Sequence, residues 1–266
     1  MTAVLERAAV RTPLWYGLDE VPVDLGPSVV TIGVFDGLHR GHRRLIDRAG
    51  AEADARGLPL VLVTFDPHPA RVLGLDKDTA TLSTVEHRAE LAGAAGADAV
   101  CVLRFTRDLA GLSADDFARH VLAGGLGARA VVVGANFTFG ARAAGDVATL
   151  RELGRDLGFS AHPVPLLQAV DVPCSSSYTR RCLRAGDLAA AARALGRPHR
   201  VDGYRTGDHV ALAADTALPP CGRYPGTVAG YPGVVEVTGA DTLRVEAGPA
   251  GDGPVAVAFH PGTEAR

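Results

Sequence analysis

Two histidines three residues apart, His39 and His42, are the side chains whose spacing points most directly to chemistry. An apolar run at 29–32 precedes them and predicts a buried strand, while the segment at 43–56 has the pattern of a helix. The N-terminus of a helix offers unpaired N–H groups and a partial positive charge, both of which suit a phosphate. Because side chains at i and i+3 share one helix face, the pair predicts a phosphate-binding site at a strand-to-helix junction.

Three glycines lie around the histidine pair, at Gly33, Gly37 and Gly41. Phe35 and Asp36 lie between the first two of them. Glycine lets a ligand approach the backbone closely, so we expect this segment to surround the ligand. A zinc site is a competing interpretation, since two histidines at this spacing can ligate zinc. No nearby Cys, Glu or third His completes a ligand set, so we predict no metal-binding side chains.

A second polar segment follows the next apolar run, where Pro67 and Pro69 enclose His68. The two prolines fix the local shape of the loop. A rigid turn with an incidental histidine is one interpretation. The position at the end of another predicted strand favours a place in the ligand cleft instead.

A third segment begins at Asn136, after the apolar run at 130–134, and continues with Phe137 and Phe139. The amide of Asn136 can both donate and accept hydrogen bonds, and an aromatic ring in a glycine-bounded loop can stack on a planar ligand. The alternative is that both phenylalanines pack beneath the sheet. We expect one to pack and one to line the site, and we assign Phe139 to the ligand.

Three serines, Ser175, Ser176 and Ser177, lead into a predicted helix that carries Arg180. Hydroxyl groups and arginines at the start of a helix can cradle an anion. An ordinary helix cap followed by a solvated basic turn is the alternative, and taken alone it is favoured. Beside a histidine pair suited to phosphate, the anion-binding interpretation is the stronger one.

The elements that position these segments alternate between strand and helix patterns. Predicted strands cover 29–35, 59–65, 99–103, 130–134 and 160–163, and predicted helices cover 41–56, 84–95, 114–123, 146–157, 176–185 and 187–195. Ser83 and Ser113 are suitable N-caps. Continuous Val- and Leu-rich strands joined by helices predict an α/β fold with a parallel sheet covered on both faces. Ligands of such sheets bind at the carboxyl ends of the strands.

Composition changes after residue 198, and we place a domain boundary there, between 1–198 and 199–266. The second part is rich in Gly and Pro. Its short apolar runs at 233–237, 242–247 and 254–259 predict a small β-rich structure.

Charge and composition exclude several classes of protein. The net charge of −3 gives no sign of a surface for nucleic acid. Lys77 is the sole lysine, which excludes a P-loop of the Gly-Lys-Ser/Thr type. No apolar run approaches the ~18 residues of a membrane span, and the first eleven residues lack the apolar core of a signal peptide. Four cysteines without a Cys-x-x-Cys pair argue against a disulfide framework and favour the cytoplasm.

The four polar segments, in this order, resemble those of the bacterial FAD synthetases, in which a riboflavin kinase is joined to an FMN adenylyltransferase. His39-Arg40-Gly41-His42 resembles the HxGH signature of nucleotidyltransferases, and the likeness covers roughly residues 14–203. It implies a Rossmann-like HxGH nucleotidyltransferase domain that transfers AMP from ATP to FMN, with Mg²⁺, and releases pyrophosphate. ATP and FMN would be the substrates, and neither nucleic acid nor a membrane would be a partner.

The resemblance and the patterns above together assign two groups of residues. Those expected at the ATP phosphates, as contacts or as the surrounding loop, are Gly33, Phe35, Asp36, Gly37, His39, Gly41, His42, Ser175, Ser176, Ser177 and Arg180. Those expected near FMN and the reacting groups are Pro67, His68, Pro69, Asn136 and Phe139. We predict that His39, His42, Asn136 and Arg180 act in catalysis and that the others bind the substrates.

Two substitutions depart from the family's pattern. Ser177 stands where threonine is usual and keeps the hydroxyl, whereas Ala135 stands where an acidic residue is common. The alanine favours one alternative, a related nucleotidyltransferase that acts on a modified flavin or another phosphorylated acceptor. A non-catalytic flavin- or nucleotide-binding protein is a further alternative, against which the intact histidine pair argues.

The second part of the chain departs further from the family. The family's kinase domain has a Pro-Thr-Ala-Asn stretch that binds nucleotide and metal, and this sequence lacks it; Glu236 and Glu246 are weak counterparts of the kinase's catalytic glutamate. We therefore expect 199–266 to be a vestigial kinase-like β-barrel without riboflavin kinase activity. A two-activity enzyme with a diverged kinase is the remaining alternative, and the missing stretch argues against it.

Overall fold

A parallel sheet of six strands forms the first unit of the chain. The computed structural model describes residues 12–165, 174–249 and 251–262. The strands of this sheet are β1 (Leu14–Tyr16), β2 (Ser28–Ile32), β3 (Leu60–Asp66), β4 (Ala99–Arg104), β5 (Ala128–Gly134) and β6 (Ser160–Val164). All neighbouring pairs are parallel, and every residue of β2 is buried. The predicted α/β fold is therefore confirmed, with strands covered on both faces.

Helices join these strands and cover the sheet. They are α1 (Arg40–Arg56), α2 (Pro69–Val72), α3 (Val85–Ala94), α4 (Arg107–Gly111), α5 (Ala114–Asp116), α6 (Val147–Leu157), α7 (Ser176–Arg184) and α8 (Leu188–Leu195). π-helical turns at Phe117–Gly125 continue α5. Apolar side chains such as Ile46 of α1 and Ala92 of α3 fill one core, and Leu122 and Leu150 belong to the core on the other face. No helix in the described part of the chain combines the length and apolar character that a membrane crossing requires.

The strand order places the carboxyl ends of β3, β2 and β5 side by side. The order is β1-β4-β3-β2-β5-β6, so the chain moves outward from β2 through β3 and β4 on one side and through β5 and β6 on the other. The order thus reverses at the crevice between β2 and β5, which is where open α/β sheets bind ligands. The histidine pair follows β2, and Asn136 follows β5.

The predicted elements of the first unit are confirmed, with small shifts at their ends, and two points are corrected. The strand predicted to reach residue 35 ends at Ile32, where the chain leaves the sheet. The cap of α3 is Thr84, whose side chain accepts a hydrogen bond from the N–H of His87, so the prediction of Ser83 as a cap is wrong. Ser113 is confirmed as the cap of α5.

A closed barrel of six antiparallel strands forms the second unit. Its strands are β7 (His199–Thr206), β8 (His209–Leu212), β9 (Gly222–Val228), β10 (Tyr231–Val237), β11 (Thr242–Val245) and β12 (Gly253–Phe259), in the order β10-β11-β8-β7-β12-β9. The β-rich structure is confirmed. The sequence patterns predict β10 to β12 only, because β7 to β9 carry polar residues, glycine and proline that obscure the alternation of a strand.

The two units share an apolar core. Leu82, from the loop before α3, and Leu183, from α7, are buried among barrel side chains such as Val210 and Phe259. Residues of the first unit therefore complete the packing of the second.

A short backbone bridge also joins the units next to Leu82. The N–H of Thr81 donates to the carbonyl oxygen of Asp215 at 2.7 Å, and the N–H of Ala217 donates to the carbonyl oxygen of Thr81 at 2.9 Å. The loop before α3 is thus tied to the barrel at the point where it turns toward the sheet.

Candidate active site

The two predicted histidines form one stacked pair at the N-terminus of α1. His39 is the N-cap of that helix, and its Nδ1 accepts a hydrogen bond from the N–H of His42 at 3.3 Å. The two imidazole rings lie 3.6 Å apart between centroids and 19° from parallel. The ring of Phe35 contacts His42 from the loop, with 4.9 Å between centroids. The helix start and the loop before it therefore fix both rings.

Burial keeps both imidazoles neutral. It lowers the pKa of His39 to about 4, against an opposing effect of the nearby Asp36 carboxylate. Burial also lowers the pKa of His42 well below its ordinary value, with the neighbouring His39 and Arg88 acting in the same direction. Since Nδ1 of His39 accepts a hydrogen bond, its proton lies on Nε2, which is left to donate. Nδ1 of His42 is buried without a hydrogen-bond partner among the described residues.

The glycines around the pair leave room for the protein's own side chains. A Cβ at position 41 would lie 3.1 Å from Nδ1 and Cε1 of His39 and 3.2 Å from the carbonyl oxygen of Cys174. A Cβ at position 37, where φ is +74°, would lie 2.9 Å from the side chain of Leu82. The space at Gly37 and Gly41 is therefore taken by the protein's own side chains, where the sequence pattern predicted room for a ligand.

The histidine loop, residues 33–38, is strained before it reaches the helix. Phe35 and Leu38 have positive φ angles of 51° and 35°, a region that costs non-glycine residues about 1–3 kcal/mol each. Phe35 is fully buried, and its ring fills the space beside Gly33. Such a conformation persists only when surrounding contacts over-determine it.

Asp36 provides the main anchor of this loop. Its carboxylate accepts hydrogen bonds from the backbone N–H groups of Leu82 and Ser83 at 3.1 Å, and the Ser83 hydroxyl donates to it at 3.3 Å. Nη2 of Arg180 donates to Oδ2 of Asp36. Nη2 of Arg88 lies 3.6 Å from Oδ1 of the same carboxylate. All three charged side chains are buried. Two guanidinium groups facing one carboxylate leave a positive excess beneath the histidines, which favours an anionic ligand.

Arg180 and Asp36 therefore bind each other in this structure. Nε of Arg180 also donates to the carbonyl oxygen of Ala80 at 2.6 Å. With its carboxylate engaged on both oxygens, Asp36 orients the loop and offers no free face to a ligand. The roles predicted for both residues as ATP contacts stay predictions, and their geometry favours positioning.

The serine segment supports the same loop from α7. Ser175 caps the helix by accepting from the N–H of Tyr178, and the hydroxyl of Ser176 donates to the carbonyl oxygen of Asp36 at 2.8 Å. Ser177 is exposed in the first helical turn. The prediction that this segment lies beside the histidine loop agrees with these contacts, and a helix N-terminus there suits phosphate.

The remaining predicted residues lie on the neighbouring strand ends. His68 caps α2 through Nδ1, which accepts from the N–H of Ala70 at 3.1 Å. Pro67 and Pro69 stand on either side of it, just past β3. Burial lowers the pKa of His68, with the charge of Arg180 next in effect, so its ring is neutral and close to the anchor of the histidine loop.

The structure places Asn136 and Phe139 in different environments. Asn136 is exposed after β5, at the same edge of the sheet as the histidines. Phe139 is buried against Phe117 in the core beneath the sheet, while Phe137 is partly exposed and stacks on it with 5.5 Å between centroids. Of the two rings, Phe137 is the better placed to reach a ligand.

Sequence patterns gave no sign of two arginines that hold the site. Arg88, in α3, forms an ion pair with Asp36 at 3.6 Å, and its Nη1 donates to the Thr64 hydroxyl at 2.8 Å near the end of β3. Arg197, after α8, donates to the backbone of the histidine loop. Arg88 has no local motif. Arg197 lies in Gly196-Arg197-Pro198, at the end of the part of the chain that resembles the family, but that segment led to no functional prediction.

The histidine pair lines neither of the cavities described below and is not part of a cluster of metal-ligating side chains among the described residues. One cavity lies between α7 and the barrel, with Arg180 in its lining, and another lies beside α6; no histidine lines either. Within the described ranges, no group of three or more His, Cys, Asp or Glu side chains could hold a metal ion. The candidate site is thus an open strand-end crevice whose character comes from the histidine pair.

Comparison with known proteins decides the family. The sequence profile of the family described as FAD synthetase matches residues 22–178, which is more than half of the chain. The chain belongs to the FAD synthetase family. The matched range contains the histidine pair, Asp36 and the start of α7, while Arg180 and Arg197 follow it.

Curated relatives of this FAD synthetase-family chain carry the name bifunctional riboflavin kinase/FMN adenylyltransferase. The protein of Pseudomonas fluorescens is 36% identical over 70% of this chain and 60% of its own length. That of Escherichia coli K12 is 34% identical over 66% and 56%, and that of Bacillus subtilis is 35% identical over 66% and 55%. The chain thus spans little more than half the length of the curated relatives it matches.

A solved structure shares the fold of both units. The crystal structure of a protein described as a macrolide-efflux protein from Streptococcus pneumoniae aligns with a TM-score of 0.78, covering 94% of this chain and 90% of its own, at 21% identity. The combination of a Rossmann-like sheet with a closed barrel is therefore found in another protein.

Replacing Gly41 by Ala tests the packing of the histidine pair. A Cβ there displaces the His39 ring and weakens the helix cap, which costs about 1 kcal/mol and offsets the gain that alanine ordinarily brings to a helix. Gly50→Ala is the matched control in the same helix, since nothing lies within 4 Å of its added Cβ, and we expect it to stabilise by about 0.5–1 kcal/mol. Equal stabilisation of both variants in urea unfolding would contradict the packing described.

The neutral state of His39 predicts how stability depends on pH. Its pKa falls from 6.5 when unfolded to about 4 when folded, so between these values the unfolded chain binds a proton that the folded protein does not. The free energy of unfolding should therefore be highest above pH 6.5 and fall as the pH drops toward 4. His39→Gln should remove up to about 3 kcal/mol of that fall, whereas His120→Gln, at an exposed position, should not. Parallel stability profiles for wild type and His39→Gln would rule out a neutral buried imidazole.

Proposed function

We propose that the protein is an FMN adenylyltransferase, which transfers AMP from ATP to FMN and yields FAD and pyrophosphate. The observation that carries this proposal is the stacked pair of neutral histidines at the N-terminus of α1, in a chain of the FAD synthetase family. Its position in the crevice where the strand order reverses supports nucleotide binding there. The positive excess of the buried arginines supports a triphosphate.

The proposed reaction is a direct displacement at phosphorus. A phosphate oxygen of FMN attacks the α-phosphorus of ATP, the bond from that phosphorus to the bridging oxygen breaks, and pyrophosphate leaves with the electron pair. No protein nucleophile is required, because the attacking oxygen is already ionised. Catalysis then consists of positioning and of stabilising charge that moves toward the leaving group.

The histidines supply that stabilisation as hydrogen-bond donors. Nε2–H of His39 is free to donate to a phosphate oxygen, and His42 presents a second imidazole stacked upon the first. Both rings are neutral before ATP binds, and the approaching negative charge raises their pKa values, which favours the protonated form in which both ring nitrogens donate. Asp36, Arg180 and Arg88 hold the loop at the angle that aims the rings.

We propose that FMN lies along the ends of β3 and β5. Asn136 is exposed there and can bond the flavin phosphate or ring. His68, fixed between its two prolines, borders the other side of the crevice. Phe137, as the partly exposed member of the aromatic pair, is the ring suited to stack on the flavin.

Mg²⁺ enters this proposal as part of the substrate. Mg²⁺ is commonly bound through substrate phosphates with few protein ligands. The carboxylate nearest the site, Asp36, is engaged by arginine and backbone donors, so the side chains around the histidines do not form a cation site of their own. No step is assigned to the metal beyond its arrival with ATP.

Ala135 favours a second candidate function, which is the adenylylation of a modified flavin or of another phosphorylated acceptor. It is exposed next to Asn136, where a carboxylate would otherwise border the acceptor. Comparing FMN with phosphorylated flavin analogues, and ATP with CTP, distinguishes the two candidates through their ratios of kcat/KM. We propose the cytoplasm as the place of either reaction, since ATP and the flavin phosphate are both met there.

Replacing His42 by Ala should abolish most FAD formation. Loss of one donor to the developing charge lowers kcat by about 10²–10³-fold, while the fold survives because the ring lies at the helix start. FAD and pyrophosphate released from MgATP and FMN measure the effect, with exposed His120→Ala as the control. Turnover by His42→Ala near that of the control would exclude the proposed role.

The purified protein should form no FMN from riboflavin and MgATP. The six strands close into a barrel, yet the sequence lacks the Pro-Thr-Ala-Asn stretch on which the resemblance places the family's nucleotide and metal binding. Separation of flavins by chromatography after incubation with riboflavin tests this, with FMN in a parallel reaction as the positive control. Phosphorylation of riboflavin would show that a diverged kinase survives.

A further inference from the structure

Arg197 connects the end of the first unit to the histidine loop. Its Nη2 donates to the carbonyl oxygen of Gly37 at 2.7 Å, and its Nη1 donates to that of Leu38 at 3.2 Å. The same Nη1 lies 3.3 Å from the carbonyl oxygen of Leu195 in α8. One guanidinium group therefore ties α8 to the two residues that immediately precede His39.

These two carbonyl groups have no partner of their own in a sheet or helix. Both residues lie in the loop between β2 and α1, beyond the strand pairings of β2, and have positive φ angles of 74° at Gly37 and 35° at Leu38. Buried carbonyl groups require donors. A planar guanidinium with fixed donor directions can bridge two of them at once, which an ammonium group cannot do in the same geometry.

Asp36 is the other residue that anchors the histidine loop, one position before the carbonyl groups bound by Arg197. Asp36 is bonded by Arg180 and by backbone donors at Leu82 and Ser83, while Arg197 bonds the two residues that follow. Asp36 fixes where the loop turns, and Arg197 fixes the direction in which it enters α1. The orientation of the His39 ring depends on that entry direction, since His39 is the first residue beyond the bridged carbonyls.

We propose that Arg197 is a positioning residue for adenylyl transfer, which aims the histidine pair by bridging the Gly37 and Leu38 carbonyl groups. This inference rests on the proposed function for its effect on rate. It does not place Arg197 in contact with either substrate. Its consequence is that the rate of the chemical step depends on a side chain at the junction with the barrel.

The test compares Arg197→Lys and Arg197→Ala with Arg193→Ala, an exposed arginine one turn earlier in α8. Misplacing catalytic groups by about 1 Å costs about 10²-fold in rate, so we expect Arg197→Ala to lower kcat by about that factor with KM for FMN and MgATP within about twofold of wild type. Arg197→Lys should fall between, because the single ammonium nitrogen cannot take the positions of both Nη1 and Nη2. Arg193→Ala should match wild type.

Rescue separates positioning from general stability. Guanidinium ion at concentrations well below those that unfold the protein should restore part of the kcat of Arg197→Ala, and should leave Arg193→Ala unchanged. A folded Arg197→Ala variant with wild-type kcat would overturn the proposal. So would an equal fall in kcat and in the fraction of folded protein measured by circular dichroism, without rescue.

A readout independent of activity keeps the inference apart from the proposed function. The positive charge of Arg197 lowers the pKa of His39, and its bridge keeps the two histidine rings stacked. NMR titration of the His39 Cε1–H should therefore show a raised pKa and weaker contacts between the rings in Arg197→Ala, with Arg197→Lys retaining more of the stack. Unchanged ring contacts would overturn the proposal even in an active enzyme. A different pair of results would refute the proposed function alone: the wild-type protein forms no FAD, and the ring contacts are nevertheless altered in Arg197→Ala.

Discussion

The buried carboxylate of Asp36 is the interaction on which the candidate site depends. A charge in the interior must be paired and hydrogen-bonded, and removing one partner of such a pair costs about 3–5 kcal/mol. Here the partners come from α3, from the loop before it and from α7, so segments distant in sequence must all be in place before the carboxylate is satisfied. The histidine loop therefore adopts its conformation only in the complete fold.

That requirement explains how the histidine loop keeps its strained backbone conformation. Positive φ angles at Phe35 and Leu38 store strain, and the contacts of Asp36 and Arg197 hold the chain there. The result is a pair of imidazoles whose orientation is set before any ligand arrives. Preorganised donors of this kind lose little in reorganisation when charge shifts during phosphoryl transfer, which links the energetics of the loop to the chemistry proposed for it.

Sequence patterns predicted the place of the histidine pair and most of the sheet, and they failed where structure is not encoded locally. The His39 and His42 spacing, glycines and preceding strand are local signals, so their place at a helix start was predictable. The strand Leu14–Tyr16 is too short to show a period and is fixed by pairing with β4. Arg88 and Arg197 have meaning only through partners far along the chain, and no pattern within a helix or a turn could reveal them. The cap at Thr84 was misassigned to its neighbour, because adjacent hydroxyl residues are equally suitable by type.

Leu82 belongs to two structures at once, since its side chain lies in the barrel core while its backbone N–H bonds Asp36. A substitution in the barrel interior that displaces the Leu82 side chain therefore also displaces a backbone donor of the Asp36 carboxylate. The packing of the barrel is in this sense part of the support of the histidine loop. The barrel acts as a buttress for the neighbouring unit, whatever its own surface binds.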